Sequence, residues 1–164
     1  MSQAILIDAR RFSRENRRLE GMLRMSELPR LADVLTGAEG EIAWKLAGLV
    51  GERGQPRLRL EVTGRLPLRC QRCLETVVET LTIDSLLELI AEDAEPTQEE
   101  LEDDRLDFLP VGQTLDLTAL IEEEILLALP IVPRHEACGL PIKVEADERP
   151  HPFASLANLK GRQT

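Results

Sequence analysis

Arg57-Leu58-Arg59-Leu60-Glu61-Val62-Thr63-Gly64-Arg65-Leu66-Pro67-Leu68-Arg69-Cys70-Gln71-Arg72-Cys73-Leu74-Glu75 is the stretch whose reading decides the fold. Leu58, Leu60, Val62, Leu66, Leu68 and Cys70 occupy even positions, and Arg57, Arg59, Glu61, Thr63, Arg65 and Arg69 odd ones. Period-two alternation is what a half-buried strand requires, because successive side chains point to opposite faces of a sheet. Beyond the cysteines, Val77, Leu81, Ile83, Leu87 and Leu89 alternate again, interrupted by Glu79 and Ser85. Two strand-like runs that meet at Cys-x-x-Cys predict a β-hairpin, up to Ile90, whose turn carries two thiols. That turn is read either as an ordinary hairpin end or as a metal knuckle or recognition tip.

Upstream, Ile42, Trp44, Leu46 and Val50 alternate as a third strand, and Gly51-Glu52-Arg53-Gly54-Gln55-Pro56 has the composition of a turn. Three antiparallel strands with a common apolar face are about the minimum for independent stability. Gly64 and Pro67 mark a bulge or an unpaired edge within the long middle strand, since proline donates no ladder hydrogen bond. Ser26 to Leu35 predicts a short helix capped by Ser26 and stopped by Gly37. Asp116 to Leu129 predicts a longer helix: Asp116 caps it, Pro130 and Pro133 end it, and Leu117, Leu120, Ile121, Ile125 and Ala128 share a face. At about 100° per residue Glu124 falls inside that apolar face and Glu122 and Glu123 outside it, so Glu124 is expected to be buried against a cation. Phe153, Leu156, Ala157 and Lys160 share one face of a short C-terminal helix within Pro152–Lys160. The fold class expected is α+β: an antiparallel β-meander or partly closed sheet with one packed helix and a short C-terminal helix, in a single domain over residues 1–164.

Forty-three per cent hydrophobic residues allow a true core, but aromatics are only 2 %, namely Phe12, Trp44, Phe108 and Phe153, so that core must be aliphatic. No run of about 18 apolar residues is present, so no membrane-spanning helix is expected. Met1 to Asp8 lacks the basic-then-apolar pattern of a signal peptide. A cytoplasmic protein with reduced cysteines follows as the expectation. The net charge of −10 is unevenly spread. Residues 92–107 hold nine acids against Arg105 alone, or −8, which leaves only −2 for the remainder. This acidic, proline-interrupted stretch reads as a mobile loop, either solubilising or a nucleic-acid mimic that competes for a basic partner. Residues 1–25 form a basic N-terminal segment through Arg10, Arg11, Arg14, Arg17, Arg18 and Arg24. Such a segment is either a solvated arm or edge, or a site for phosphate or an acidic protein face.

Three motifs in order are similar to a known family. Leu68-Arg69-Cys70-Gln71-Arg72-Cys73-Leu74-Glu75 resembles the cysteine hairpin of the large ribosomal RNA subunit accumulation protein (YceD) family. Leu115-Asp116-Leu117 followed by Glu122-Glu123-Glu124-Ile125-Leu126-Leu127-Ala128-Leu129-Pro130 resembles its second signature, and Pro152-Phe153-Ala154-Ser155-Leu156-Ala157-Asn158-Leu159-Lys160 its tail. The resemblance spans roughly residues 40–160. It implies a cytosolic factor for accumulation of the large ribosomal RNA, with no enzymatic activity and no catalytic residues to carry over. Many members of that family have additional cysteines near the C-terminus, where this chain has His135 and Cys138.

Zinc takes four tetrahedral ligands from thiolate and imidazole. Cys70 and Cys73 make one pair, and His135 and Cys138 a second with the same spacing, so the candidate metal ligands are Cys70, Cys73, His135 and Cys138. The competing readings are metal-free thiols and a dithiol redox pair. A redox Cys-x-x-Cys ordinarily opens a helix whose dipole lowers the thiol pKa, and here strand patterns flank it. No Ser/His/acid set, glycine-rich phosphate loop or His-Glu-x-x-His motif is present, and no small-molecule substrate is indicated. The expected partners are ribosomal RNA or a ribosomal or RNA-processing protein. With so few aromatic platforms, any RNA contact should run to phosphate, through Arg10, Arg11, Arg14, Arg17, Arg18, Arg69 and Arg72. A zinc-stabilised interaction module unrelated to ribosomes is the remaining alternative.

Overall fold

The structure is a computed structural model that describes residues 4–96 and 106–139. Its centre is an open five-stranded sheet in the order β2-β3-β4-β5-β6. Strands β2 (Arg18–Arg24), β3 (Glu41–Val50), β4 (Pro56–Arg69) and β5 (Thr76–Ile90) form the antiparallel meander, and β6 (Asp107–Pro110) joins the end of β5 in parallel. A two-stranded ladder pairs β1 (Leu6–Ile7) with β7 (Leu115–Asp116). Helices α1 (Ala9–Arg14) and α2 (Leu117–Ala128) cover one face of the sheet. The class is α+β, and the sheet does not close on itself.

The even-numbered apolar residues of β3 and β4 point into the core: Ile42, Trp44 and Leu46, then Leu58, Leu60 and Val62, all 6 % exposed or less. Leu81, Ile83, Leu87 and Leu89 of β5 meet them, and Leu117, Leu120, Ile121 and Ile125 of α2 close the layer. Burial of this aliphatic surface is the dominant stabilising term, at roughly 25 cal/mol per Å². Val50, expected to face inward, is 46 % exposed, because the inward alternation ends at Gly48. There the backbone of α1 lies directly on the sheet: a Cβ at Gly48 would collide with the Phe12 carbonyl and come within 2.8 Å of the Ser13 Cα. The Trp44 ring lies across β2 in the same manner, leaving 2.8 Å for a Cβ at Gly21.

The β4–β5 hairpin keeps one register from Arg57↔Glu88 to Arg69↔Thr76, so neither Gly64 nor Pro67 makes a bulge. The alternative expectation, an unpaired edge, describes Pro67 well. Pairing with β3 stops at Thr63, and on that side β4 meets an isolated bridge, Leu35↔Leu68, and Thr36, whose N–H (2.8 Å) and hydroxyl (3.2 Å) donate to the Pro67 carbonyl. From Gly64 to Arg69, therefore, β4 and β5 continue as a two-stranded arm whose inner residues, Leu66 and Leu68, are buried beside the Leu35–Thr36 segment.

The helix expected over Ser26–Leu35 is replaced by two single 3₁₀ turns, Met25–Glu27 and Pro29–Leu31. Pro29 is the reason: it lacks an N–H, and it holds Leu28 extended at φ −112°, ψ 82°. Arg24 rather than Ser26 sits at the cap, with the Glu27 carboxylate accepting from its N–H at 2.9 Å. Helix α2 is as expected, and Asp116 accepts at its start from Thr118 N–H (2.9 Å) and Ala119 N–H (3.3 Å). Its carboxylates are not distributed as the single wheel predicts. Glu122 is the buried one, at 4 % exposure, and accepts from Arg30 N–H (2.6 Å) and Leu31 N–H (3.2 Å). Glu124 is half-buried and accepts from Ser85 Oγ. Two neighbours cover α2, the sheet on one side and the Pro29–Leu31 turn on another, and a wheel drawn for one apolar face cannot contain the second.

The basic N-terminal segment is built into the fold rather than appended to it. Phe12 and Ser13 of α1 are buried, and β2 forms an edge of the sheet. Residues 97–105 of the acidic stretch and the expected C-terminal helix at 152–160 lie outside the described residues.

Candidate metal centre

The tip of the arm is a tight turn. Cys70 N–H donates to the Glu75 carbonyl (2.9 Å) and Leu74 N–H to the Cys70 carbonyl (3.0 Å), with Leu74 in the left-handed region at φ 66°. The turn carries the Cys70 and Cys73 sulfurs. Pro130 and Pro133 end α2 and direct the following chain back to this turn, where Gln71 N–H donates to the Pro133 carbonyl at 2.9 Å. His135 and Cys138 arrive beside the first pair.

The ligand atoms of Cys70, Cys73, His135 and Cys138 all lie within 4.8 Å of one another. Cys70 Sγ and Cys138 Sγ are 3.7 Å apart, and Cys73 Sγ and His135 Nδ1 3.3 Å. The first spacing is too long for a disulfide at about 2.05 Å. It matches the edge of a tetrahedron built on Zn–S bonds of about 2.3 Å, which is about 3.8 Å. The histidine is already oriented: its Nε2 lies 3.1 Å from the Thr76 carbonyl, which can only accept. Nε2 therefore carries a proton, and Nδ1 faces the Cys73 sulfur. A backbone carbonyl that fixes the tautomer is the usual support of a ligating imidazole.

Arg72, inside the Cys-x-x-Cys, turns inward. Its Nε donates to Cys138 Sγ at 2.9 Å, and one terminal nitrogen donates to the carbonyls of His135 (2.8 Å) and Glu136 (3.4 Å). The guanidinium thus clamps the whole second ligand pair to the tip. Burial pushes the Cys70 thiol up, but the backbone N–H groups of Cys73, Arg72 and His135 stabilise its thiolate more strongly, and its pKa falls to about 5. Burial also opposes ionisation of Cys138, where Arg72 leads the groups that bring the pKa down. Cys73 accepts from the Glu75 backbone, yet burial and the neighbouring Cys70 and Cys138 carry its pKa upward. Cys138, then Cys70, raise that of His135. A cation taken up by these groups would displace their protons.

The remaining sequence-predicted contacts are dispersed. Arg69 is exposed on the outer face of the arm. Arg11 pairs with Glu15 at 2.7 Å, Arg17 stacks over Phe12 with its guanidinium 5.6 Å from the ring centre, and Arg10 and Arg14 flank the opening beside Glu92 and Gly112. Arg18 begins the edge strand at the far side of the sheet. These N-terminal arginines do not converge on the tip. The clamp role of Arg72 had no sequence signal, because it depends on where the chain after α2 returns.

Residues 58–160 match the family model described as large ribosomal RNA subunit accumulation protein YceD. A Haemophilus influenzae protein named large ribosomal RNA subunit accumulation protein YceD is 30 % identical over 158 residues, covering 88 % of this chain and 89 % of that protein. No solved structure matches the chain. With the family match spanning the arm, its cysteine tip and α2, the chain belongs to the large ribosomal RNA subunit accumulation protein YceD family.

Proposed function

We propose that this protein is a non-enzymatic cytoplasmic factor for accumulation of the large ribosomal RNA, acting by binding that RNA or a ribosomal or RNA-processing protein, and that its Cys₃His group holds a structural zinc ion. The observation that carries the reading is the make-up of the tip in a chain of this family. Cys70, Cys73, His135 and Cys138 offer four donors within 4.8 Å of one another, with the Cys70 and Cys138 sulfurs 3.7 Å apart. A closed set of four protein ligands is the pattern of structural zinc, whereas catalytic zinc keeps one position for water or substrate. The donor chemistry fits, since thiolate and imidazole are the soft and borderline ligands zinc selects. The ion would supply folding energy and a fixed link between the arm and the segment after α2. The dithiol alternative has less support, because Cys70 and Cys73 sit on a β-turn with no helix opening at either sulfur.

Deleting the protein is expected to lower the ratio of large- to small-subunit ribosomal RNA, and the intact gene to restore it. An unchanged ratio with normal sucrose-gradient ribosome profiles would refute the ribosomal reading. Native mass spectrometry of protein purified without chelator tests the metal separately, with one zinc expected.

A further inference from the structure

Four exposed or half-exposed arginines occupy the same face of β4, and the register divides them into two kinds. Arg57 lies opposite Glu88 and Arg59 opposite Asp84, and both pairs are closed, at 2.7 Å and 2.5 Å. Arg65 lies opposite Thr80 and Arg69 opposite Thr76. Among the described residues neither Arg65 nor Arg69 forms an ion pair. The surrounding face offers the exposed hydroxyls of Thr63, Thr80 and Thr82 and the exposed Val78. The Thr76 hydroxyl is engaged with Thr36 at 3.0 Å. Carboxylates border the strip: Glu61 and Asp84 pair with Arg59, Glu41 is in register with Arg24, Asp33 lines the opening beside Arg69, and Glu75 belongs to the turn.

We infer that this outer face of the β4–β5 arm is a docking strip for the phosphodiester backbone of RNA, contacted by Arg65 and Arg69 and by the hydroxyls beside them. The inference rests on the ribosomal RNA reading above and names the partner chemistry and the surface. Arginine forks and hydroxyls are the groups that hold phosphate oxygens, and they carry register without reading bases. Four residues of strand put the two arginines about 13 Å apart, enough to take separate phosphates. The strip holds no aromatic anchor of the kind that dominates protein–protein hot spots, and no platform on which a base could stack. Arg72 cannot add a third contact, since its fork is spent on Cys138 and the His135 carbonyl. What the clamped tip supplies is a fixed end to an arm whose inner face is buried in the core.

The test measures binding of the full chain to purified large-subunit ribosomal RNA across a salt series, with duplex DNA as a second polyanion. The double variant Arg65→Gln, Arg69→Gln should keep the parent's thermal midpoint and zinc content, bind at least about tenfold more weakly, and show a log–log salt slope smaller by about 1.4. The double variant Arg59→Gln, Asp84→Asn, on the same face, should bind as the parent does. Equal binding by parent and by the Arg65/Arg69 variant overturns the strip, and leaves the ribosomal role standing if deletion still lowers the rRNA ratio. A parent that restores the ratio yet binds no RNA also overturns it, and points to an acidic protein face instead. Weakened binding by the Arg65/Arg69 variant, in a protein whose deletion leaves the ratio unchanged, upholds the strip and removes the ribosomal reading.

Discussion

The two ends of the β4–β5 ladder share one alternation and one register but are held by different physics. At the end near Arg57 and Glu88, β3 lies alongside, α1 and α2 cover the inner face, and the outer arginines are neutralised across the ladder. At the Cys70 end β3 has stopped, and the buried Leu66 and Leu68 lie beside the Leu35–Thr36 segment instead. The tip beyond them is joined to the segment after α2 by the Cys70, Cys73, His135 and Cys138 cluster and the Arg72 clamp. The difference shows that a strand pattern specifies which face is buried but not what buries it.

Breaking the tip should therefore produce the largest local effect. Cys70 is fully buried, and its sulfur touches the second pair through Cys138 at 3.7 Å. Cys70→Ser is expected to abolish the bound zinc in native mass spectrometry and to expose the segment after α2 to limited proteolysis, while the sheet's hydrogen-exchange protection near Leu60 and Ile83 persists. If one zinc remains, or if the whole sheet loses protection together, the two ends are not separately held. Arg72→Gln should retain zinc but let Cys138 alkylate faster, since the guanidinium covers that sulfur.

The base and middle of the molecule should respond through packing instead. Gly48→Ala places a methyl group on the α1 backbone, and at about 1–3 kcal/mol for overpacking it should lower the thermal midpoint without releasing zinc. Glu122→Leu removes the acceptor of the Arg30 N–H and one of the two acceptors of the buried Leu31 N–H, which keeps the Leu28 carbonyl, at about 1–3 kcal/mol in all. Glu123→Leu, on the exposed side, should change the midpoint little. Equal losses at Glu122 and Glu123 would mean that the Pro29–Leu31 turn does not cover α2.

Much of this architecture was legible in the chain, for reasons that also explain what was not. Alternation at Leu58–Cys70 and Val77–Leu89 reports solvent on one side of a strand, so the meander and its core face could be read directly. Ligand count and spacing reported the Cys₃His set, because those depend on composition. Register cannot be read this way: nothing in the sequence says that Arg59 meets Asp84 while Arg65 meets Thr80. The Glu122 and Glu124 assignments were exchanged because the second neighbour of α2 comes from 92 residues away. The Ser26–Leu35 helix failed on a signal that was present, Pro29, outweighed by apolar spacing. The fixed histidine tautomer and the Arg72 clamp required the fold itself.

The smallest predicted effect separates the two ion pairs at the base. Glu88 is 7 % exposed and takes Arg57 through both Nε at 2.8 Å and a terminal nitrogen at 2.7 Å. The side chains of Arg59 and Asp84 are 49 % and 51 % exposed, although their geometry is equally short. Asp84 is held below its usual pKa first by its hydrogen bond to Arg59, with burial opposing. A depressed carboxylate stabilises the fold above its ordinary pKa, and that contribution disappears as pH falls through the depressed value. Water and salt reach this pair freely, so the contribution should be slight. Glu88→Gln is expected to cost about 1–2 kcal/mol, because a charge-assisted hydrogen bond in a shielded site becomes a neutral one. Asp84→Asn should leave the thermal midpoint unchanged in high salt and lower it barely in low salt. If Asp84→Asn cost as much as Glu88→Gln in high salt, then the outer face at this end would be covered rather than open to water. The contrast with the uncovered Arg65 and Arg69 would then need another explanation.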